Sequence, residues 1–256
     1  MAVTIAVTGK GGTGKTIIVS VLLQILNKKY PDSSILAIDA NLNCDMGRYL
    51  GIDITNTLYD IRLDKYKYSY EMPQDISKQE KIDLCIEDMI TPLNQNVDVI
   101  ASGTSVSIEC TCANAKIIRE RMKHLAKNYD IVVIDCADDI VYLKNVINTV
   151  IDSIIIVADS SRSAITSAAR LKYSARDMLL PDQTTLLLNK IKQRNLPDSI
   201  SALIDKFDLD IVGIIPFDNE LRDYEYAGKS IYKLDDENSP IPQAIEQTLY
   251  RLNLPR

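Results

Sequence analysis

Large aromatic side chains are scarce in this sequence. Tryptophan is absent, phenylalanine occurs twice and histidine once, at His124. With 46% hydrophobic but only 6% aromatic residues, the core has to be aliphatic. One histidine, set among the charged residues of a predicted helix, excludes a histidine tract for storing metal and reads as a surface residue. No basic stripe stands out. Lys and Arg number 29 against 35 Asp and Glu, for a net charge of −6 and a pI near 5.0. Nucleic acid is therefore not the expected partner. The longest apolar run, 17–26, is interrupted by Ser20 and Gln24 and is too short to span a bilayer. No charged leader or cleavage site precedes the first strand-like run. A cytoplasmic protein without a membrane partner is expected. There, the five cysteines should be buried or metal-bound and not paired as structural disulfides. Internal repeats, low-complexity tracts and linkers are also missing, and 256 residues suit one α/β domain spanning 1–256.

What is present begins at Gly9-Lys10-Gly11-Gly12-Thr13-Gly14-Lys15-Thr16, which fits the phosphate-binding pattern G-x-x-x-x-G-K-[ST]. Glycines let the backbone turn so that successive N–H groups point into one concavity. A polyphosphate fits there, at the positive end of the helix that continues through Ile17. In this motif the lysine, here Lys15, reaches the β- and γ-phosphates, and the hydroxyl, here Thr16, ligates Mg2+. A buried strand is expected over 3–8 and a helix over 16–29, the context that gives the motif its meaning.

Further apolar runs at 35–39, 97–102, 131–135, 154–158, 185–189 and 211–215 alternate with helical patterns at 114–127, 163–179, 197–207 and 240–252. The runs are continuous Val, Ile and Leu, as expected of parallel strands covered on both faces. Their alternation with helices predicts a doubly wound, mostly parallel sheet with helices on both faces. Ligands of such sheets lie at the carboxyl ends of the strands. The phosphate loop, Asp39, Asp135 and Asn189 all fall at such ends. Residues 53–90 are irregular and rich in Tyr, Lys, Asp and Gln. They are expected to form a surface insertion of short helices.

The loop carries a second lysine, Lys10. In that respect Lys10-Gly11-Gly12-Thr13-Gly14-Lys15-Thr16 resembles the deviant phosphate loop of the MinD, ParA and nitrogenase iron-protein superfamily of P-loop NTPases. The resemblance implies ATP or ADP with Mg2+, and a homodimer that sandwiches nucleotide with Lys10 reaching across to the partner's phosphates. It makes Asp39-Ala40-Asn41 the first switch, where the superfamily carries D-x-D-P. Asn41 stands where an acidic residue positions the attacking water. A carboxamide cannot accept a proton as a carboxylate does, but it can still orient water. Asp39 and Asp45 remain as magnesium or water ligands, or as caps of a turn. Asp135-Cys136-Ala137-Asp138-Asp139 resembles the second switch, D-x-x-x-G, with Asp135 the carboxylate for magnesium and Asp139 in the place of the glycine. Both departures bear on turnover more than on binding, so a nucleotide sensor that hardly hydrolyses is an alternative. Asn189-Lys190 resembles the superfamily's base-reading pair, whose amide can pair with adenine in both senses. Pro216-Phe217-Asp218 resembles the segment that packs against the base.

Cys110-Thr111-Cys112 precedes the predicted helix 114–127. Two thiolates cannot complete a tetrahedral site, but a twofold axis would supply four sulfurs. Such a set suits zinc or an iron–sulfur cluster and does not by itself select nickel. Two buried cysteines are the other reading. Position adds more. With residues 114–119, 129–135, 157–163, 189–190 and 214–218, on to Gly228, the chain resembles the CooC-type nickel-inserting ATPases that mature carbon monoxide dehydrogenase. The likeness covers most of the chain and fails mainly in 53–90. It implies Ni2+ or Zn2+ held between Cys110 and Cys112 of two subunits, and delivery of nickel to a client metalloenzyme coupled to ATP. A MinD- or ParA-type spatial organiser is the first alternative. The tail 243–251 is not basic and the chain is acidic, which count against it. A [4Fe–4S] electron donor like the iron protein is the second, although those relatives space their cysteines widely. Cys44, Cys85 and Cys136 read as small buried residues.

Overall fold

The computed structural model describes residues 2–41, 43–63, 65–66, 75–103, 113–138, 140, 150–193, 195–233 and 239–252. Its strands are β1 (Val3–Thr8), β2 (Ile35–Ala40), β3 (Thr91–Pro92), β4 (Val97–Ala101), β5 (Ile131–Cys136), β6 (Ser153–Ala158), β7 (Gln183–Ile191) and β8 (Ile211–Pro216). They form one eight-stranded sheet in the order β3-β4-β2-β5-β1-β6-β7-β8. Every pair is parallel except β3 with β4. The chain first winds to one side of β1, inserts β5 between β2 and β1, and then crosses to the other side with β6. The winding thus reverses at β1, and ligands of open α/β sheets bind at such a reversal.

The helices are α1 (Lys15–Lys29), α2 (Met46–Leu50), α3 (Leu58–Arg62), α4 (Lys78–Met89), α5 (Ala113–Ala126), α6 (Arg162–Met178), α7 (Asp198–Lys206), α8 (Asn219–Tyr226) and α9 (Pro240–Arg251). Successive strand residues point to opposite faces, and each face has its own apolar layer. Ile5, Val7, Val133 and Leu187 pack with Ile18 and Leu22 of α1 and Ile245 and Leu249 of α9. Ala6, Ile38, Ile134 and Leu188 pack with Ile86 of α4, Met122 of α5, Ile165 of α6 and Leu203 of α7. Coverage on both faces explains why the strands are aliphatic throughout. The doubly wound sheet is the architecture expected from the alternating pattern. The apolar run 17–26 is the buried body of α1. Among the described residues no helix is long and apolar enough to cross a membrane.

The stretch 53–90, expected as a surface insertion, also builds core. Leu58 and Ile61 of α3 and Ile82, Cys85, Ile86 and Met89 of α4 are buried in the same layer as Met122. Their helical spacing turns one face to the sheet, while the polar residues that dominate the composition occupy the other. A capping box starts α4. The Ser77 hydroxyl accepts from the Glu80 N–H at 3.2 Å, and the Glu80 carboxylate accepts from the Ser77 N–H at 2.8 Å.

Candidate functional site

The loop between β1 and α1 leaves the sheet in a backbone conformation that side chains resist. Gly9 has φ of 147°, and a Cβ there would strike the carbonyl of Val157 in β6. Gly14, the residue before α1, has φ of 91°, and a Cβ on it would lie 2.6 Å from Asn189 Nδ2. Only glycine meets both demands. Thr13 folds the loop back on itself. Its hydroxyl at 2.8 Å and its N–H at 3.3 Å both donate to the Lys10 carbonyl, which also accepts from Lys15 Nζ at 3.3 Å. Gly11 and Gly12 are exposed.

A cavity of about 370 Å³ opens beside this loop. Its floor is Gly14, Lys15, Thr16 and Ile17. Asn41, Asn43, Asp45 and Tyr49 wall it after β2, Ala137 and Asp138 after β5, and Lys190 in β7. The first N–H groups of a helix have no intrahelical acceptor, so the start of α1 presents donors and a positive dipole end to this space.

Two carboxylates lie beneath it. Asp39 and Asp135 are register partners on β2 and β5, and both are fully buried. Thr16 Oγ1 donates to Asp135 Oδ2 at 2.6 Å. Asp135 Oδ1 is buried and has no hydrogen-bond partner among the described residues. Burial pushes the Asp135 carboxyl up to about 7, opposed by the Thr16 hydroxyl and the Lys15 charge and aided by Asp39. Asp39 accepts from the N–H groups of Asn41 and Met46, each at 3.0 Å, and so organises the turn that starts α2. Burial still raises it to about 6. For Lys15, burial lowers the ammonium pKa, and Asp135 opposes that shift.

The other expected site residues fall as follows. Lys10 is exposed, and its Nζ donates to Ser163 Oγ at the start of α6, at 2.8 Å. The Asn41 side-chain oxygen Oδ1 accepts from the Asn43 N–H at 3.4 Å. Asn189 and Lys190 sit at an irregularity in β7 and reach the phosphate loop. Asn189 Nδ2 donates to the Thr13 carbonyl at 2.8 Å, and Lys190 Nζ to the Gly12 carbonyl at 3.0 Å. Pro216 ends β8. The Phe217 N–H donates to Ile191 at 2.9 Å, and the Phe217 ring lies 4.9 Å from the Lys192 ammonium. Asp218 accepts from the Leu221 N–H at 3.3 Å and the Ser239 hydroxyl at 3.1 Å. Lys190 lines the cavity, and the segment 216–218 is joined to the same end of β7.

Cys110, Cys112 and Asp139 lie outside the described residues. Among the described residues no three His, Cys, Asp or Glu side chains cluster as a metal site. Cys85 and Cys136 are buried and Cys44 is half-buried. Burial holds the Cys44 thiol at about 11 and Cys136 well above its ordinary value, so neither is a ready thiolate. Two residues of the site carried no sequence signal. Tyr49 belongs to a helix of five residues, and Ser163 meets Lys10 only through the fold.

The sequence profile of the AAA_31 family, an AAA domain, matches residues 2–178. The chain is 27% identical over 246 residues to an uncharacterised ATP-binding protein of Methanocaldococcus jannaschii, covering 95% of each. It is 24% identical over 241 residues to the carbon monoxide dehydrogenase accessory protein CooC of Rhodospirillum rubrum, covering 90% of this chain and 89% of that one. Among solved structures, the septum site-determining protein MinD complexed with Mg-ADP from Pyrococcus horikoshii is similar in fold. The TM-score is 0.70 at 23% identity, over 99% of this chain and 96% of that one.

Proposed function

The chain belongs to the AAA_31 family of AAA domains, and from that premise we propose that it is an ATP-binding switch protein. It dimerises around nucleotide and serves the assembly of a nickel-containing enzyme. One observation carries the nucleotide reading. The glycine loop, the start of α1 and the Thr16–Asp135 pair converge on one cavity, with an unpartnered, buried carboxylate oxygen beside them.

The donor set fits magnesium. A hydroxyl and a carboxylate are hard oxygen ligands, and Asp135 Oδ1 has lone pairs that no donor among the described residues takes up. Thr16 and Asp135 would hold the ion, and a bound ion would neutralise phosphate charge. The N–H groups of the loop cradle the phosphates of ATP, and Lys15 meets the β- and γ-oxygens. Asn41 orients water in line with the γ-phosphorus. As water adds and the bond to the ADP oxygen breaks, its proton passes to the phosphate product, because the carboxamide is not a base. Turnover is accordingly slow. Among the described residues the Lys10 ammonium donates only to Ser163, and both side chains lie at the surface. Exchanging that bond for a phosphate of the partner's nucleotide needs no core rearrangement.

The alignment with CooC over nine-tenths of the chain, together with Cys110-Thr111-Cys112 ahead of α5, supports the metal reading. Two chains contribute four thiolates, and Ni2+ or Zn2+ is the cargo. The client is carbon monoxide dehydrogenase or a related metalloenzyme. A second reading, a MinD- or ParA-type spatial organiser, is favoured by the fold similarity.

Anaerobic titration with Ni2+, with and without Mg·ATP, followed by calorimetry and light scattering, tests both. The expected result is an ATP-dependent dimer binding one metal ion per two chains, with metal binding lost in Cys110→Ser and in Cys112→Ser. A dimer that takes up no metal but binds liposomes or DNA favours the second reading. A monomer indifferent to ATP removes both.

A further inference from the structure

Asn189 and Lys190 leave the regular ladder of β7. The pairing with β8 slips between Leu188 and Ile191, and Lys190 has φ of 60°, a region that side-chain-bearing residues seldom adopt. The irregularity aims both side chains at the phosphate loop. Asn189 Nδ2 donates to the Thr13 carbonyl at 2.8 Å, and Lys190 Nζ to the Gly12 carbonyl at 3.0 Å. The amide of Asn189 is also anchored from behind, because its Oδ1 accepts from the Lys190 N–H at 2.9 Å. Two consecutive carbonyls of the loop are therefore gripped by two consecutive residues of the strand.

A trans peptide is planar, with its N–H opposite its C=O. Fixing the Thr13 carbonyl toward Asn189 fixes the Gly14 N–H in the opposite sense, and Gly14 lines the cavity. The approach is so close that a Cβ on Gly14 would lie 2.6 Å from Asn189 Nδ2. Asn189 is only 5% exposed. A residue that reads a base has to show its amide edge to the ligand, and this amide shows its edge to the loop.

We propose that Asn189, seconded by Lys190, is a positioning residue that presets the peptide planes of the phosphate loop, and so governs affinity for the polyphosphate itself regardless of the base. The inference rests on the nucleotide-binding reading above and departs from the base-reading role that the sequence resemblance implies for Asn189. Preorganised donors bind more tightly because no ordering remains to be done on binding.

The test compares ATP with inorganic tripolyphosphate, which has no base, by calorimetry or competition on the full chain. Asn189→Ala removes the donor without adding charge. Asn189→Ser supplies a smaller polar group should the alanine variant not fold. The expected result is an about tenfold weakening of both ligands in parallel, about 1.4 kcal/mol, with faster amide exchange at Gly14 in the ligand-free chain. Loss of ATP affinity with tripolyphosphate binding unchanged makes Asn189 a base reader and overturns the inference. A wild-type chain that binds no ATP overturns the nucleotide reading itself, and this inference with it.

Discussion

Asp135 answers two opposed demands. Burial favours its neutral form, and a divalent cation favours its charged one. The carboxyls of Asp135 and Asp39 are raised to about 7 and about 6, from about 3.9 in an unfolded chain. The folded protein therefore binds more protons than the unfolded one across that window. The stability these groups contribute is fully present below the unfolded value and is lost as pH rises through 6 and 7. Magnesium competes with the same proton on Asp135, so its affinity grows over that range. Two trends are expected between about pH 6 and about pH 8 in a series of calorimetric melts. The ligand-free midpoint falls, while the added stability from Mg·ATP rises. Asp135→Asn, which has no proton to lose, should flatten the first trend and remove the second. A wild-type increment from Mg·ATP that is equal at both ends of the range would place the cation elsewhere.

Among the elements, legibility followed burial. The run 3–8 is β1 from end to end, because a strand covered on both faces is an uninterrupted aliphatic word. The two-residue β3 and the five-residue α2 are too short to display a period. The twelve-residue α4 does display one, at Ile82, Cys85, Ile86 and Met89, but charged neighbours masked it. The phosphate loop was legible because its glycines encode backbone geometry. The bond from Lys10 to Ser163 was not, since 153 positions separate the two residues. The end of α6 carries an imperfection that makes the next prediction. After the cap at Leu179 the chain turns through Leu180 at φ of 49°, and the N–H groups of both bond the Ala175 carbonyl at 2.9 and 3.2 Å. Glycine is the usual residue at that point. A left-handed conformation costs an L-residue roughly 1–2 kcal/mol, and Leu180, at 76% exposed, buries little in return. Leu180→Gly should stabilise the protein by about 1 kcal/mol, a rise of roughly 2–4 °C in a chain of this size. Leu180→Ala keeps the strain and should give no gain in the same urea and thermal melts.

For the whole molecule, the reversal of winding at β1 gathers a cluster of charge in one crevice. Lys15 lies buried within its own chain's loop, whereas Lys10 stands exposed at its rim, beside α6. The two lysines should therefore fail differently. Each protomer carries a net charge of −6 and, in the proposed dimer, a polyanionic ligand besides, so two copies repel unless cations bridge them. Screening by salt weakens exposed charges more than buried ones. Lys15→Ala removes a phosphate ligand and should abolish ATP binding and dimerisation together. Lys10→Ala should leave ATP binding by the single chain within about twofold, the scale of a surface contact, yet prevent the dimer. Calorimetry reads the first quantity and light scattering the second. Equal loss of ATP affinity in both variants would assign Lys10 to its own chain's nucleotide and leave the twofold arrangement, with the four-thiolate site that depends on it, without its bridging cation.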